Sequence, residues 1–334
     1  MSSSSTRRQF LTRAPLAGAA LPLALAALAS CEREPGAKTD QPAATDSTAP
    51  PVKADVPYAR YDPALPPATP ARVKRIALTA RDVTTAITRD LVLPMWTFDG
   101  VFPAPVQRVR VGDTVDVTLT NRGSIPHSID FHAAQIDPKT AFRSIVPGET
   151  TTFSFTPRYP GAFMYHCGTP PVLMHIGMGM VGAIIVDPVD PLPPAREFVL
   201  VQSEFYVVTT GGRPRLDYDR MLTTLPDHMA FNGRPLQYLD EPIVVKRGER
   251  VRFYVVNAGP SVHCAFHVVG EQFDTVYIGA PPANPLRGVQ TFDVAPGGGM
   301  IFELVCDVAG TFPFVNHAFG HGQKGAIGLL VVEP

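Results

Sequence analysis

The chain is poor in the features that mark several protein classes. Its 334 residues include only four cysteines, which is too few for a disulfide scaffold. The 29 basic and 30 acidic residues leave a formal net charge of −1, so no basic excess favours a nucleic-acid partner. Because 45% of the residues are hydrophobic, the chain can still bury cores. Its length predicts two domains at roughly 150 residues each.

The first 31 residues are predicted to be an export signal rather than part of the fold. Arg7 and Arg8 precede an Ala- and Leu-rich stretch from Ala14 to Ala29. This stretch contains prolines and is short for a membrane-spanning helix, which is typical of a twin-arginine signal. The Leu-Ala-Ser-Cys that ends it resembles a lipoprotein cleavage box, so Cys31 is the predicted lipidation site. The alternative is an ordinary secretion signal in which this cysteine is incidental.

These signals together predict a periplasmic protein that is held to a membrane by a lipid anchor only. Glu32 follows Cys31 where inner-membrane retention often uses aspartate, which favours the outer membrane. Residues 32–70 are rich in Pro, Ala, Thr and Asp. We therefore expect them to form a flexible tether.

From about residue 71 the hydrophobic pattern becomes that of β-strands. Val115, Val117 and Leu119 alternate with polar residues after a Gly112-Asp113 turn. No long amphipathic helical stretch dominates, and Gly and Pro punctuate short segments at a spacing typical of β-sandwiches. The sequence therefore predicts an all-β fold.

Landmarks of the first half recur in the same order in the second half. Phe98-Asp99-Gly100 corresponds to Phe231-Asn232-Gly233, and His127 corresponds to His263. Each half also ends on an acidic residue followed by proline. Ordered landmarks with drifting offsets indicate two copies of one β-sandwich. The predicted domains span residues 71–188 and 196–334, with a Pro-rich boundary between them.

The first copy contains a set of side chains suited to copper. Cys167, His175 and Met180 lie on one segment between predicted strands, and His127 comes from a distant strand. A thiolate, two imidazoles and a thioether are the ligands of a blue-copper electron-transfer site, whereas structural zinc rarely uses methionine. Met178 is an alternative to Met180 as the axial ligand.

Three further histidines predict a second metal site. His132 has the opposite strand parity to His127, and His166 diverges from its neighbour Cys167, so both face away from the first site. His317 of the second copy completes a set of three imidazoles, which suits a catalytic metal with an open position.

These motifs, with the stretch Trp96–Gly112, resemble the two-domain copper nitrite reductases over about residues 75–334. The resemblance implies two tandem cupredoxin-like Greek-key sandwiches in a homotrimer. The short loop from Cys167 to His175 is similar to that of the lipoprotein branch of the family, in agreement with the cleavage box.

The resemblance also implies a role for each matching residue. It assigns His127, Cys167, His175 and Met180 to type 1 copper, His132, His166 and a neighbouring subunit's His317 to type 2 copper, and catalysis to Asp130 and His267. The implied reaction is the dissimilatory one-electron reduction of nitrite to nitric oxide and water. The electron would come from a c-type cytochrome or a small cupredoxin and pass from type 1 to type 2 copper.

One position departs from the family pattern. Val269 stands where the family usually places an isoleucine over the copper. The shorter side chain predicts a slightly larger substrate pocket, with activity retained and the orientation of nitrite altered.

Two other functions compete with this interpretation. A laccase-like multicopper oxidase normally uses ten histidines and has one directly after the cysteine, whereas this chain has nine and Gly168 at that position. A non-enzymatic copper electron carrier needs no second histidine set.

The second copy is predicted to have lost its own copper site. Asn316 lies near where a counterpart of Cys167 would fall, so His263 is expected to be a structural relic. The sequence leaves open whether Cys264 and Cys306 form a disulfide or are two buried thiols.

Overall fold

The computed structural model describes residues 53–334, which belong to one compact unit. The predicted export signal, Cys31 and the tether as far as residue 52 lie outside the described residues. Within the described range, no helix has the length and apolar character needed to cross a membrane.

The first copy is a sandwich of two four-stranded sheets. Its strands are β1 (Val73–Ala86), β2 (Val92–Phe98), β3 (Ala104–Arg110), β4 (Thr114–Asn121), β5 (Asp130–Phe131), β6 (Thr150–Phe155), β7 (Gly161–His166) and β8 (Val181–Asp187). One sheet has the order β2-β1-β4-β6, and the other has the order β3-β8-β7-β5.

The second copy is a larger sandwich of a six-stranded and a five-stranded sheet. Its strands are β9 (Arg196–Phe205), β10 (Val207–Thr210), β11 (Arg213–Leu216), β12 (His228–Phe231), β13 (Glu241–Lys246), β14 (Arg250–Gly259), β15 (Cys264–Val268), β16 (Phe273–Tyr277), β17 (Pro285–Val289), β18 (Thr291–Val294), β19 (Gly299–Val305), β20 (Gly310–Asn316) and β21 (Ile327–Glu333). The sheet orders are β12-β9-β14-β19-β16-β17 and β13-β21-β20-β15-β18, and β10 pairs with β11 as a separate hairpin.

Short helices connect some of the strands. They are α1 (Pro138–Ala141), α2 (Val172–Gly177), α3 (Tyr218–Leu222), α4 (Gln237–Asp240) and α5 (Phe319–Gln323). None of them exceeds the six residues of α2, so the all-β prediction is confirmed for the described part of the chain.

The strand pairing confirms the internal repeat. In the first copy β1 runs parallel to β4 and β3 runs parallel to β8, and in the second copy β9 and β14 and then β13 and β21 repeat these two parallel pairs. Asn121 and Asn257 also occupy equivalent places. Each donates from its amide to two backbone carbonyls and accepts the N–H of the glycine two residues later. The two halves are therefore two copies of one fold.

Strand β8 is buried on both faces, which joins the copies. Ile184 and Val186 pack inside the first sandwich, whereas Ala183 and Ile185 pack against side chains of β9 and β14. A strand that is covered on both faces has a continuous apolar sequence, and residues 181–186 have such a sequence. The resulting apolar interface fixes the first copy against the second.

Residues 53–70, the described part of the predicted tether, contact both copies. The Arg60 guanidinium lies 5.2 Å from the ring centre of Tyr238, and the N–H of Leu65 donates to the carbonyl of Glu197. Arg108 of the first copy donates to the carbonyl of Pro66. The chain is thus held against the folded unit well before the first predicted domain begins.

Cys264 and Cys306 are both buried free thiols in the core of the second copy. The structure therefore answers the question that the sequence left open. Burial raises the pKa of both thiols, that of Cys306 to about 12, so both are held in the neutral form.

Candidate metal centres

Three predicted ligands meet in the first sandwich. Cys167 directly follows β7, His175 lies in α2 between β7 and β8, and His127 is held by a backbone bridge to Ile145. All three side chains are buried, and their ligand atoms lie within 4.8 Å of one another. We call His127, Cys167 and His175 the cysteine cluster.

The donor atoms of the cysteine cluster converge on one point. Nδ1 of His175 lies 3.2 Å from Nδ1 of His127 and 3.2 Å from Sγ of Cys167, and the third edge of the triangle is 4.0 Å. Burial lowers the pKa of both histidines, that of His127 to about 4 with a further contribution from His175. Both imidazoles are therefore neutral at pH 7, as metal coordination requires.

Met180 and Met178 are directed to different parts of the fold. Met180 is fully buried in the same core as Cys167, and its carbonyl accepts the Cys167 N–H at 3.1 Å. Met178 packs at the interface between the two copies. The surroundings therefore favour Met180 as the methionine of this cluster.

Two neighbours of the cysteine cluster were missed by the sequence reasoning. The Trp96 ring lies 4.9 Å from the His175 ring and 5.6 Å from the His127 ring. The N–H of Ser128 donates to Sγ of Cys167 at 3.3 Å. The position of Ser128 beside His127 was a usable signal, because the residue after a ligand shares its backbone placement.

A second cluster lies on the other side of the Cys167 backbone. It consists of His132, His166 and Asp130, and we call it the histidine cluster. His166 ends β7 and is buried, Asp130 pairs with it from β5, and His132 is exposed. The structure thus brings His132 and His166 together and keeps them apart from the cysteine cluster, as the strand parity predicted.

Hydrogen bonds fix the tautomers of the histidine cluster. Nδ1 of His132 donates to the carbonyl of Gly297 and Nδ1 of His166 donates to that of Cys167, both at 2.9 Å. In the neutral imidazoles both Nε2 atoms then carry lone pairs, and these atoms face each other at 3.0 Å. Burial lowers the pKa of His166 and so disfavours a proton there. Two lone pairs that face each other repel unless a cation lies between them, so this donor set fits a metal ion.

Asp130 adds a carboxylate to this cluster. Its Oδ2 atom lies 4.0 Å from Nε2 of His166, and its side chain is partly exposed. The predicted catalytic aspartate therefore lies at the metal-facing side of the cluster.

The structure places His317 and His267 elsewhere. Both belong to the second copy, where their rings lie 5.2 Å apart, and Nδ1 of His267 donates to the carbonyl of Gln290 at 2.5 Å. Val269 follows in the turn after β15. Within the described part of one chain, His317 joins neither of the two metal-ligand clusters.

Comparison with known proteins places this arrangement in a family. Multicopper oxidase family models match residues 80–191 and 209–334. The copper-containing nitrite reductase of Neisseria meningitidis serogroup A is 39% identical over 287 residues, which covers 82% of this chain and 74% of that protein. The chain belongs to the copper-containing nitrite reductase family.

Solved structures agree with this family membership. The copper nitrite reductase from Nitrosomonas europaea has a TM-score of 0.72 and 37% identity, over 78% of this chain and 94% of that one. The enzyme from Thermus scotoductus SA-01 has the same TM-score and 32% identity, over 78% of this chain and 62% of that one. The two cupredoxin-like domains predicted from the sequence are thus confirmed for this copper nitrite reductase family member.

Proposed function

We propose that this chain reduces nitrite to nitric oxide and water, with copper held at the cysteine and histidine clusters. The observation that carries the proposal is the presence of two separate donor sets on adjacent residues, Cys167 and His166. The soft thiolate set suits an electron-transfer copper, and the imidazole set suits a copper that binds substrate. When bound, copper supplies a one-electron redox centre at the first set and a Lewis acid for an anion at the second.

The chain itself provides a short covalent link between the clusters. Sγ of Cys167 belongs to one cluster and Nε2 of His166 to the other. Nδ1 of His166 also donates to the Cys167 carbonyl, which fixes the ring relative to the backbone that joins them. The link is therefore rigid as well as short.

Asp130 and His267 are the proposed proton donors. The Asp130 carboxyl lies beside His166, where it can hold a proton next to a bound anion. Nδ1 of His267 donates to a backbone carbonyl, which leaves its Nε2 atom to exchange the proton. Nitrite reduction consumes two protons, so two such groups fit the reaction.

We propose a homotrimer because one chain holds only part of the catalytic site. His132 and His166 lack a third imidazole within the described residues, whereas His317 is exposed beside His267 on the second copy. A head-to-tail contact between identical chains would join these two surfaces, and such a contact forms a ring of three when its rotation closes after three copies. Exposed Phe319, whose ring lies 4.6 Å from that of His317, adds apolar area at the same place.

The rival functions fit the site less well. Nine histidines and Gly168 do not provide the ligands of a laccase-like trinuclear cluster. A simple electron carrier needs only the cysteine cluster, so that function does not account for the histidine cluster. Export by the twin-arginine route, lipidation at Cys31 and donation by a c-type cytochrome or small cupredoxin complete the proposal, supported by the sequence alone.

Nitrite turnover tests the proposal directly. Purified protein, loaded with copper and supplied with a chemical reductant, is expected to produce nitric oxide from nitrite and to show two coppers per chain. Loading of both sites without nitric oxide production contradicts the proposal. Oxygen consumption in place of nitrite reduction supports the laccase-like alternative.

A further inference from the structure

A buried amide occupies the position of the lost metal site in the second copy. Asn316 ends β20 at the repeat position of Cys167 and is fully buried. The structure corrects the predicted counterpart of His127. Cys264 pairs with Val294 as His127 pairs with Ile145, and the carbonyls of Val294 and Ile145 accept from the equivalent amides of Asn257 and Asn121, so Cys264 occupies that place. His263 turns its ring outward to Asp293 at the surface. Among the described residues, no metal-ligand cluster lies at this place, and a hydrogen-bonded amide occupies it instead.

Asn316 uses its whole hydrogen-bonding capacity. Its Nδ2 atom donates to Oε1 of Gln202 at 2.9 Å and to the carbonyl of His263 at 2.8 Å. Its Oδ1 atom accepts the N–H of Ala318 at 3.1 Å and that of Ala265 at 3.3 Å. A primary amide offers two hydrogens and two lone pairs, and all four are engaged.

These bonds fix the backbone that follows His317 and the neighbouring strand to which His317 is hydrogen-bonded. Ala318 follows His317 in the chain, and Ala265 accepts the His317 N–H at its carbonyl at 2.7 Å. The Oδ1 atom of Asn316 therefore accepts an N–H from Ala318, which follows His317, and from Ala265, whose carbonyl accepts the His317 N–H. The His317 ring is exposed and contacts the rings of His267 and Phe319, so its direction depends on those two rings and on the backbone that Asn316 holds.

We propose that Asn316 is a positioning residue that holds His317 ready to bind a metal carried by a second copy of the chain. The inference rests on the proposed function, because it takes His317 as the third imidazole of the histidine cluster. Residues that orient a metal ligand typically change metal affinity by about 10- to 100-fold when they are removed. In the second copy, the position equivalent to a copper ligand thus supports His317, which serves the histidine cluster of a second chain.

The test is Asn316→Ala in the copper-free full-length protein, titrated with copper. Copper affinity of the histidine site is expected to fall about 10- to 100-fold, while the absorption band of the cysteine site stays unchanged. Asn232→Ala is the matched control. Asn232 is equally buried, donates to the Val199 carbonyl and the Tyr238 hydroxyl, accepts the N–H of Val201, and shares none of these partners with Asn316. This variant should lower the melting temperature without weakening the histidine site.

Two results overturn the proposal. One is an unchanged copper affinity in Asn316→Ala, and the other is an equal loss of copper affinity in Asn232→Ala. If Asn316→Ala does not fold, Asn316→Asp keeps the Oδ1 acceptor, and its affinity should lie closer to the wild type than to His317→Ala; an affinity equal to that of His317→Ala also overturns it. Wild-type protein that binds a single copper or makes no nitric oxide refutes the proposed function instead, so the two failures are distinguishable.

Discussion

Gly123→Ala should disturb the cysteine cluster without touching a ligand. A methyl group at position 123 would lie 2.9 Å from Nε2 and 3.1 Å from Cδ2 of His127. Asp82 Oδ1 lies 3.1 Å away on another side, and because ordinary contact begins near 3.4 Å, the ring or the loop that carries position 123 must shift by about 0.5 Å. The ring has little room to do so, since the His175 and Trp96 rings lie on other sides of it.

The structure sets the size of this effect. Overpacking of a full core typically costs about 1–3 kcal/mol. If the metal-free protein relieves the clash by moving His127, metal binding must restore the ring position against that strain. Each 1.4 kcal/mol corresponds to about a tenfold loss of affinity. We therefore expect copper affinity of the cysteine site to fall by about one to two orders of magnitude.

The assay is a copper titration that follows the absorption band of the cysteine site. Gly310→Ala is the control, because a Cβ there meets Phe312 at an ordinary 3.4 Å and position 310 is exposed. A Gly123→Ala protein with the wild-type affinity and band would refute the reasoning. Equal losses in both variants would show a general loss of stability instead.

Three further predictions follow from the site. In the metal-free protein, burial and His175 lower the pKa of His127 from 6.5 to about 4, so only the unfolded chain gains this proton as pH falls between these values. The free energy of unfolding, measured with denaturant, should therefore fall by about 2 kcal/mol between pH 7 and pH 5. His127→Gln removes the titrating group, so an equal fall in that variant would contradict this prediction. Val269→Ile should alter the bound orientation of nitrite and its kinetics while activity persists; identical kinetics and an identical pose would remove the idea of a larger pocket. Mixed trimers of His132→Ala and His317→Ala chains should recover nitrite turnover, because some interfaces then combine two intact half-sites; an absence of recovery would contradict a shared site.

The fold and the donor sets were largely predictable because both rest on local patterns. Alternation at Val115, Val117 and Leu119 reports a strand with one face in a core, and all three are buried. The divergence of His166 from Cys167 follows from strand geometry alone, and it separates the two clusters. Repeated landmarks were sufficient to predict the two copies of the sandwich.

Long-range contacts were not predictable in the same way. The carbonyl of Gly297 orients His132 from the other domain, and no local pattern marks such an acceptor. The contacts of residues 53–70 were hidden because Pro-rich composition resembles that of a linker even where single residues such as Leu65 are buried. The hydrogen bonds of Asn316 depend on β15 and β20 pairing, which the sequence did not specify.

The two clusters are expected to have separate roles, and the variant His132→Ala tests this separation. Nitric oxide production and the absorption band of the cysteine site are measured on the same copper-loaded sample. We predict that the variant loses nitrite turnover and keeps the band, because His132 belongs to the histidine cluster alone. Loss of the band, or turnover that survives the substitution, would contradict the account.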